Sequence, residues 1–206
     1  MLLALSPSGF TAPAAQDLTT PGFPTTFRCV LDKHTRVLVI KLNDTTAIAY
    51  DTGKLHMLKV WEDKAGKLVS LTGPVYNGRH GRQPVSIGNT LVTERAPLFS
   101  YHSNTPSSAS PQLHYGGHKI TEGKATLVYT YRDAEGNQLA TIEETPSIKK
   151  NIVSRSFRIT LNKDHQQDHI VFNQPGGKKW LLNGKPLTTV HAKSAETVTL
   201  SQSLSK

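Results

Sequence analysis

The chain has 206 residues, enough for one well-buried core, and 24 Lys and Arg against 15 Asp and Glu leave a net charge of +9 and a pI of about 9.7. The basic excess is spread out, with Lys149-Lys150, Lys178-Lys179 and Arg79 near Arg82 as its closest approaches to a cluster. This pattern favours a solvated basic surface and acidic partners over a nucleic-acid arm. No segment approaches the roughly twenty consecutive apolar residues of a membrane-spanning helix.

The N-terminus begins Met1-Leu2-Leu3-Ala4-Leu5 and reaches Ala12-Pro13-Ala14, the small-x-small form of a signal-peptidase site. Residues 1–15 are read as a signal peptide or a disordered leader with cleavage near Ala14 or Ala15, and residues 16–26 as an extended N-terminal segment. The expected location is periplasmic or secreted, and residues 27–206 are expected to form a single β domain.

From Phe27 onward, β-branched and aromatic runs are cut by turn residues, and helical periodicity is nearly absent. Val37-Leu38-Val39-Ile40 suits a buried strand, Asn43-Asp44 a turn and Ala47 to Tyr50 a second strand. Asp51-Thr52-Gly53-Lys54 then makes a hairpin connection into Leu55 to Trp61. Simple alternation puts Leu55, Met57 and Lys59 on one face of that strand and His56, Leu58 and Val60 on the other. Glu62 to Lys67 reads as a polar turn and Leu68 to Leu71 as the next strand.

The densest group of functional side chains follows: Val75-Tyr76-Asn77-Gly78-Arg79-His80-Gly81-Arg82-Gln83-Pro84. Glycines and a proline constrain this loop, while Tyr76, Arg79, His80, Arg82 and Gln83 offer donors to a polar or anionic ligand. Trp61 and Tyr50, in the same half of the chain, are aromatic candidates for sugar stacking beside it.

Further on, the Ser- and Pro-rich stretch from Asn104 to Pro111 reads as an exposed excursion. Ala125 to Tyr131 and Gln138 to Glu143 flank Asp133 to Asn137 in a hairpin pattern. In Val153 to Leu161, residues Val153, Arg155, Phe157, Ile159 and Leu161 share one face, so Arg155 needs a carboxylate partner, with Glu143 or Glu144 in reach on the preceding strand. Short strands at Ile170 to Phe172, Lys179 to Leu182, Thr188 to Val190 and Thr197 to Leu200 complete the chain, with Asn183-Gly184 as a two-residue turn. Many short strands and frequent turns predict an all-β antiparallel sandwich, with a supersandwich as a related possibility.

Cys29 is the lone cysteine, in a strand-like setting that suits an inert thiol, and no CxxCH haem attachment exists. The pairs His114 with His118 and His165 with His169 have four-residue spacing but lie in turn-rich sequence without a third ligand, so no metal is expected. G-x-S-x-G and phosphate-cradling glycine motifs are absent too, and the expected cofactor set is empty.

Phe27-Arg28-Cys29-Val30-Leu31-Asp32, Ala49-Tyr50-Asp51-Thr52, Leu58-Lys59-Val60-Trp61, Val75-Tyr76 and His80-Gly81-Arg82-Gln83-Pro84, with Thr141 to Pro146, together resemble a known module. It is the non-haem β domain that accompanies c-type cytochrome modules in exported, multidomain bacterial proteins. The resemblance implies a c-type cytochrome or another exported protein as partner, and no catalytic role transfers with it. The expectation is a noncatalytic module that binds a glycan, an acidic ligand or a protein partner in a redox or polysaccharide-processing system. The alternative is a carbohydrate-active enzyme, epimerase- or lyase-like, using His80 with Glu143 or Glu144.

Overall fold

The computed structural model describes residues 25–72, 83–104, 110–173, 180–187 and 189–204. The leader 1–15 and most of segment 16–26 therefore lie outside the described residues. In chain order the strands are β1 (Thr25–Leu31), β2 (His34–Lys41), β3 (Thr46–Asp51), β4 (His56–Glu62), β5 (Val69–Thr72), β6 (Gln83–Ser86), β7 (Asn89–Thr93) and β8 (Phe99–His102). There follow β9 (Gln112–Thr121), β10 (Lys124–Arg132), β11 (Gln138–Lys149), β12 (Ile152–Leu161), β13 (His169–Phe172), β14 (Leu181–Leu182), β15 (Lys185–Pro186), β16 (Val190–Ala192) and β17 (Thr197–Ser203).

The strands form antiparallel sheets, as the sandwich expectation requires. A five-stranded sheet has the order β1-β2-β3-β4-β7, and a seven-stranded sheet the order β15-β14-β17-β12-β11-β10-β9. A three-stranded sheet, β16-β13-β8, and the β5-β6 hairpin complete the set. The chain is all-β and none of these sheets closes into a barrel. Among the described residues no helix is long and apolar enough to cross a membrane.

Period-two patterning explains the main core. Ala125, Leu127, Tyr129 and Tyr131 of β10 and Val153, Phe157, Ile159 and Leu161 of β12 point inward, while their neighbours are more exposed. They meet Leu38, Ile40, Ile48, Tyr50, Met57 and Val60 from the five-stranded sheet, with Phe99, Ile170 and Phe172 from the three-stranded one. Phe99 is the aromatic hub, with edge contacts to Tyr129, Tyr131 and Phe157 at centroid distances of 5.6, 6.5 and 5.8 Å.

The five-stranded sheet is buried on its second face as well. Leu31, Val37, Val39, Ala47, Ala49, Trp61 and Leu68 form a separate core there, with Val69 of β5 packed against it. This explains the continuous apolar run at Val37 to Ile40. Simple alternation fails on β4, because the register shifts between Ala49, which opposes Lys59, and Tyr50, which opposes Met57. The intervening Leu58 is the extra residue of a bulge. Met57 and Val60 thus face the main core, while Leu58 and Trp61 face the outer one.

Several hairpins use two-residue turns in which both central residues have positive φ: Asp32 and Lys33 at 48° and 72°, Glu122 and Gly123 at 50° and 67°, Lys150 and Asn151 at 47° and 40°, Asn183 and Gly184 at 51° and 78°. That is the twist-matched geometry of tight hairpins. The Asp133 to Asn137 hairpin is also present: the Asp133 carboxylate accepts from the Asn137 backbone N–H at 2.7 Å. Pro146 is tolerated within β11 because β10 pairs with β11 only as far as Leu127 opposite Glu144.

Candidate functional site

β1 and β9 are edge strands of the two large sheets, and they meet along one side of the sandwich, where Thr26 Oγ1 and His118 Nε2 lie 3.4 Å apart. Beside this meeting line opens a cleft of about 720 Å3, lined by Arg28, Thr35, Arg36, Thr52, His114 and Tyr115 among others. A second hollow of about 470 Å3 shares Thr35, Arg36 and Gly53 with it and adds Asp32, Lys33, His34, Asp51 and Lys54. Arg36 therefore stands between two lobes of one groove.

Local sequence positions these groups. On β1, alternation exposes Arg28 while Phe27 and Cys29 pack on the outer core. On β9, Tyr115 opposes Tyr129 and Gly117 opposes Val128, leaving Gly116 as an extra residue. This bulge breaks the alternation, with Gly117 at φ 122°, and lets Tyr115 and His118 meet, hydroxyl to Nδ1, at 3.2 Å. The floor of the second lobe is the Asp51 turn, whose Oδ1 accepts from the backbone N–H groups of Gly53 and Lys54, both at 3.0 Å.

The electrostatics are those of a cationic groove. Burial tends to raise the Asp51 carboxyl, but His34 at 3.0 Å and the two backbone donors outweigh it and hold it low. Asp32 is likewise held low against burial by Lys59 and Ser86. Both carboxylates are thus committed to partners, whereas Arg28, Lys33, Arg36 and Lys54 are exposed. The Arg28 guanidinium lies 5.5 Å over the Tyr115 ring, which limits its freedom and orients it. Burial pushes the Tyr115 phenol up, and burial together with Arg28 pushes His118 down. The Cys29 thiol on the same wall is pushed up to about 11 by burial and by Asp32, so it stays protonated at neutral pH and is a poor nucleophile.

The loop residues Tyr76, Arg79, His80 and Arg82 lie outside the described residues, and Gln83 begins β6. Val69 of β5, the strand before that loop, packs on the outer core of the five-stranded sheet, and β6 pairs with β5. Tyr50 and Trp61 require a correction: instead of presenting rings to a ligand, they are 1% and 0% exposed. Each is held by a buried acceptor, the Tyr50 hydroxyl donating to Glu144 at 2.6 Å and the Trp61 indole N–H to the Leu68 carbonyl at 2.9 Å. Their alternate strands are buried on both faces, so neither orientation reaches solvent.

Glu143 and Glu144 point to opposite sides of β11. Glu143 pairs with Lys119 near the surface, while Glu144 is fully buried and binds Arg155 Nε at 2.6 Å. The partner expected for Arg155 is therefore Glu144, and a carboxylate so enclosed has no access to a substrate. Glu143 lies on the outer face of the seven-stranded sheet.

Sequence reading missed the rest of this buried cluster. Glu94, just past β7, accepts from Arg155 Nη1 at 2.7 Å and from the Trp180 indole N–H at 2.5 Å. Burial, reinforced by the charge of Glu144, raises the Glu94 carboxyl. For Arg155, burial acts against the cation, but Glu144 and Glu94 outweigh it and push the guanidinium well above its ordinary value. The apolar strand around Arg155 signalled a partner; nothing near Glu94 or Trp180 in sequence marked them as further members.

The histidine pairs separate. His114 lines the cleft, His118 bonds Tyr115, and His165 Nδ1 meets Asp168 at 3.0 Å. His169 instead joins a row across the three-stranded sheet, with ring centroids 5.6 Å from His102 and 4.8 Å from His191. Among the described residues no group of three or more His, Cys, Asp or Glu side chains could hold a metal ion. No protein-family model, curated protein or solved structure matches the chain.

Proposed function

We propose that this chain is an exported, noncatalytic β-sandwich module that binds an acidic glycan in the Arg28–Arg36 groove. The observation that carries the reading is the two-lobed cleft, in which exposed arginines and lysines face solvent while the neighbouring carboxylates are consumed by internal partners. Guanidinium groups bind carboxylate or sulfate oxygens bidentately, Tyr115 adds an aromatic edge, and Thr35 and Thr52 add hydroxyls suited to sugar hydroxyls. The overall charge of +9 draws such ligands in. Loop residues Tyr76, Arg79, His80, Arg82 and Gln83 are a second candidate contact surface.

The absence of catalysis in this reading rests on Glu144 being locked to Arg155 and Tyr50, and on Cys29 staying protonated. Export and a c-type cytochrome neighbour rest on the N-terminal pattern and on the resemblance carried by the Phe27 to Asp32 and His80 to Pro84 motifs. An oligosaccharide array spanning neutral, uronate-containing and sulfated glycans tests the proposal. Selective retention of acidic members by the wild type, lost in Arg28→Ala/Arg36→Ala, supports it. Uniform silence across the array, or retention unchanged in that variant, overturns it.

A further inference from the structure

Glu94, Glu144 and Arg155 are 4%, 0% and 2% exposed, so two carboxyl groups share one guanidinium inside the protein. The donors bonded to them fall on one oxygen of each. Arg155 Nη1 and the Trp180 indole N–H meet Glu94 Oε1 at 2.7 and 2.5 Å, while Arg155 Nε and the Tyr50 hydroxyl meet Glu144 Oε1, both at 2.6 Å. Among the described residues the buried side-chain atoms without a hydrogen-bond partner are Glu94 Oε2, Glu144 Oε2 and Gln202 Oε1. Gln202 opposes Val153 while Arg155 opposes Leu200, which puts Gln202 diagonal to Arg155 on the inward face. All three atoms are acceptors, so this part of the core is short of a donor, and with both carboxyl groups ionised its charge does not balance.

We propose that the Glu94–Glu144 pair holds one proton, on Glu94, in the mildly acidic range where exposed glutamates are ionised, and that this buried proton clasps the two layers of the sandwich. Protonated Glu94 supplies a donor and leaves one negative charge against one guanidinium, which removes the cost of an uncompensated charge in the interior. Burial raises the Glu94 carboxyl, and the charge of Glu144 adds to it against the pull of Arg155. The ionisable groups facing the cluster are Arg155 of β12, Glu144 of β11, Tyr50 of β3 and Tyr129 of β10. Burial, with the charge of Glu144, pushes both phenols well up, so they stay neutral.

Glu94 follows β7 at the edge of the five-stranded sheet, whereas Glu144 and Arg155 belong to the seven-stranded one. Ionising Glu94 therefore sets two anions against one cation across the junction of the layers. The stability that the proton contributes is present in full below the ordinary glutamate value of 4.5 and is lost as pH rises through the raised folded-state value of Glu94. None of these residues lines the Arg28–Arg36 groove, so the inference stands apart from the glycan reading.

Infrared spectroscopy of the 206-residue chain reads the proton directly, through the carbonyl stretch of a protonated carboxyl. The band is expected in the wild type at pH 6, where the buried Asp51 and Asp168 are held low and do not contribute, and it is expected to fade as pH rises and to be absent from Glu94→Gln. Gln keeps an acceptor for Arg155 and Trp180 and puts an N–H in place of the acid proton, so this variant keeps the fold. Urea unfolding midpoints of the two proteins are expected to match in mild acid and to separate as pH rises. Relative to the variant, the wild type then loses up to about tenfold in its folding equilibrium constant per pH unit. A wild type without the band at pH 6, a band that survives in Glu94→Gln, or a midpoint gap that does not widen with pH overturns the proposal. The wild-type spectrum needs no variant, so it decides the matter even where Glu94→Gln does not fold.

Discussion

Arg155 shows how a single side chain links the two layers of this sandwich. It joins Glu144 on its own sheet to Glu94 beyond β7, and lies within 5.1–5.7 Å of the Tyr50, Phe157 and Trp180 rings. Removing the cation strands two buried carboxylates. Arg155→Met is expected to destabilise the protein by about 3–5 kcal/mol in urea unfolding. The triple variant Arg155→Met/Glu94→Gln/Glu144→Gln is expected to recover part of that loss, and a triple variant less stable than the single would contradict the charge explanation. Asp168 gives a pH-dependent counterpart. Burial tends to raise its carboxyl, but Tyr101, the Asn104 backbone N–H and His165 hold it below its ordinary 3.8. The stability it contributes is therefore present above that value and lost as pH falls through its folded-state value. Unfolding midpoints of wild type and Asp168→Asn are expected to differ at pH 7 and to converge in acid; a gap that stays constant down to pH 2 would refute the assignment.

At the scale of elements, legibility in sequence followed the strength of local pattern. The β10–β11 hairpin and β12 were readable because their inward faces alternate cleanly and Asp133 to Asn137 is turn-rich. The β14–β15 hairpin was readable from Asn183-Gly184, whereas the tight turns at Asp32-Lys33 and Lys150-Asn151 use residues that carry no such signal yet adopt the same positive φ. β9 was hidden because Gly116-Gly117 looks like a loop and is instead a bulge in a strand. The side assignments on β4 went wrong for a related reason, since a bulge is invisible to a period-two count. Gly88 marks the place where the chain leaves β6 for β7: it sits at φ 98°, and a Cβ there would lie 2.1 Å from the Glu62 carbonyl oxygen. Gly88→Ala is expected to destabilise by at least about 1–3 kcal/mol from backbone strain alone. An unchanged thermal midpoint would contradict the close approach.

At the scale of the whole molecule, fold class and candidate site were legible to different degrees. An all-β sandwich follows from many short β-branched runs, because only stacked sheets bury such runs on one or both faces. The groove does not follow from any local stretch: Arg28, Arg36 and His114 come from β1, β2 and β9 and meet only when the two sheet edges close on one another. For the same reason aromatic residues that looked available in sequence are enclosed, Tyr50 by the main core between the sheets and Trp61 by the second core on the back of the five-stranded sheet. A basic chain whose groove carboxylates, Asp32 and Asp51, bond to internal partners leaves Arg28 and Arg36 to an outside partner, which is the central claim. Calorimetric titration of a uronate-containing oligosaccharide, matched with its neutral counterpart, tests it most directly in wild type and in Arg28→Ala/Arg36→Ala. The account predicts that the wild type binds the acidic sugar with salt-sensitive affinity and that the double variant, with unchanged thermal stability, loses at least about tenfold. Equal affinity for the acidic and neutral sugars, or an affinity indifferent to the loss of both arginines, would contradict it.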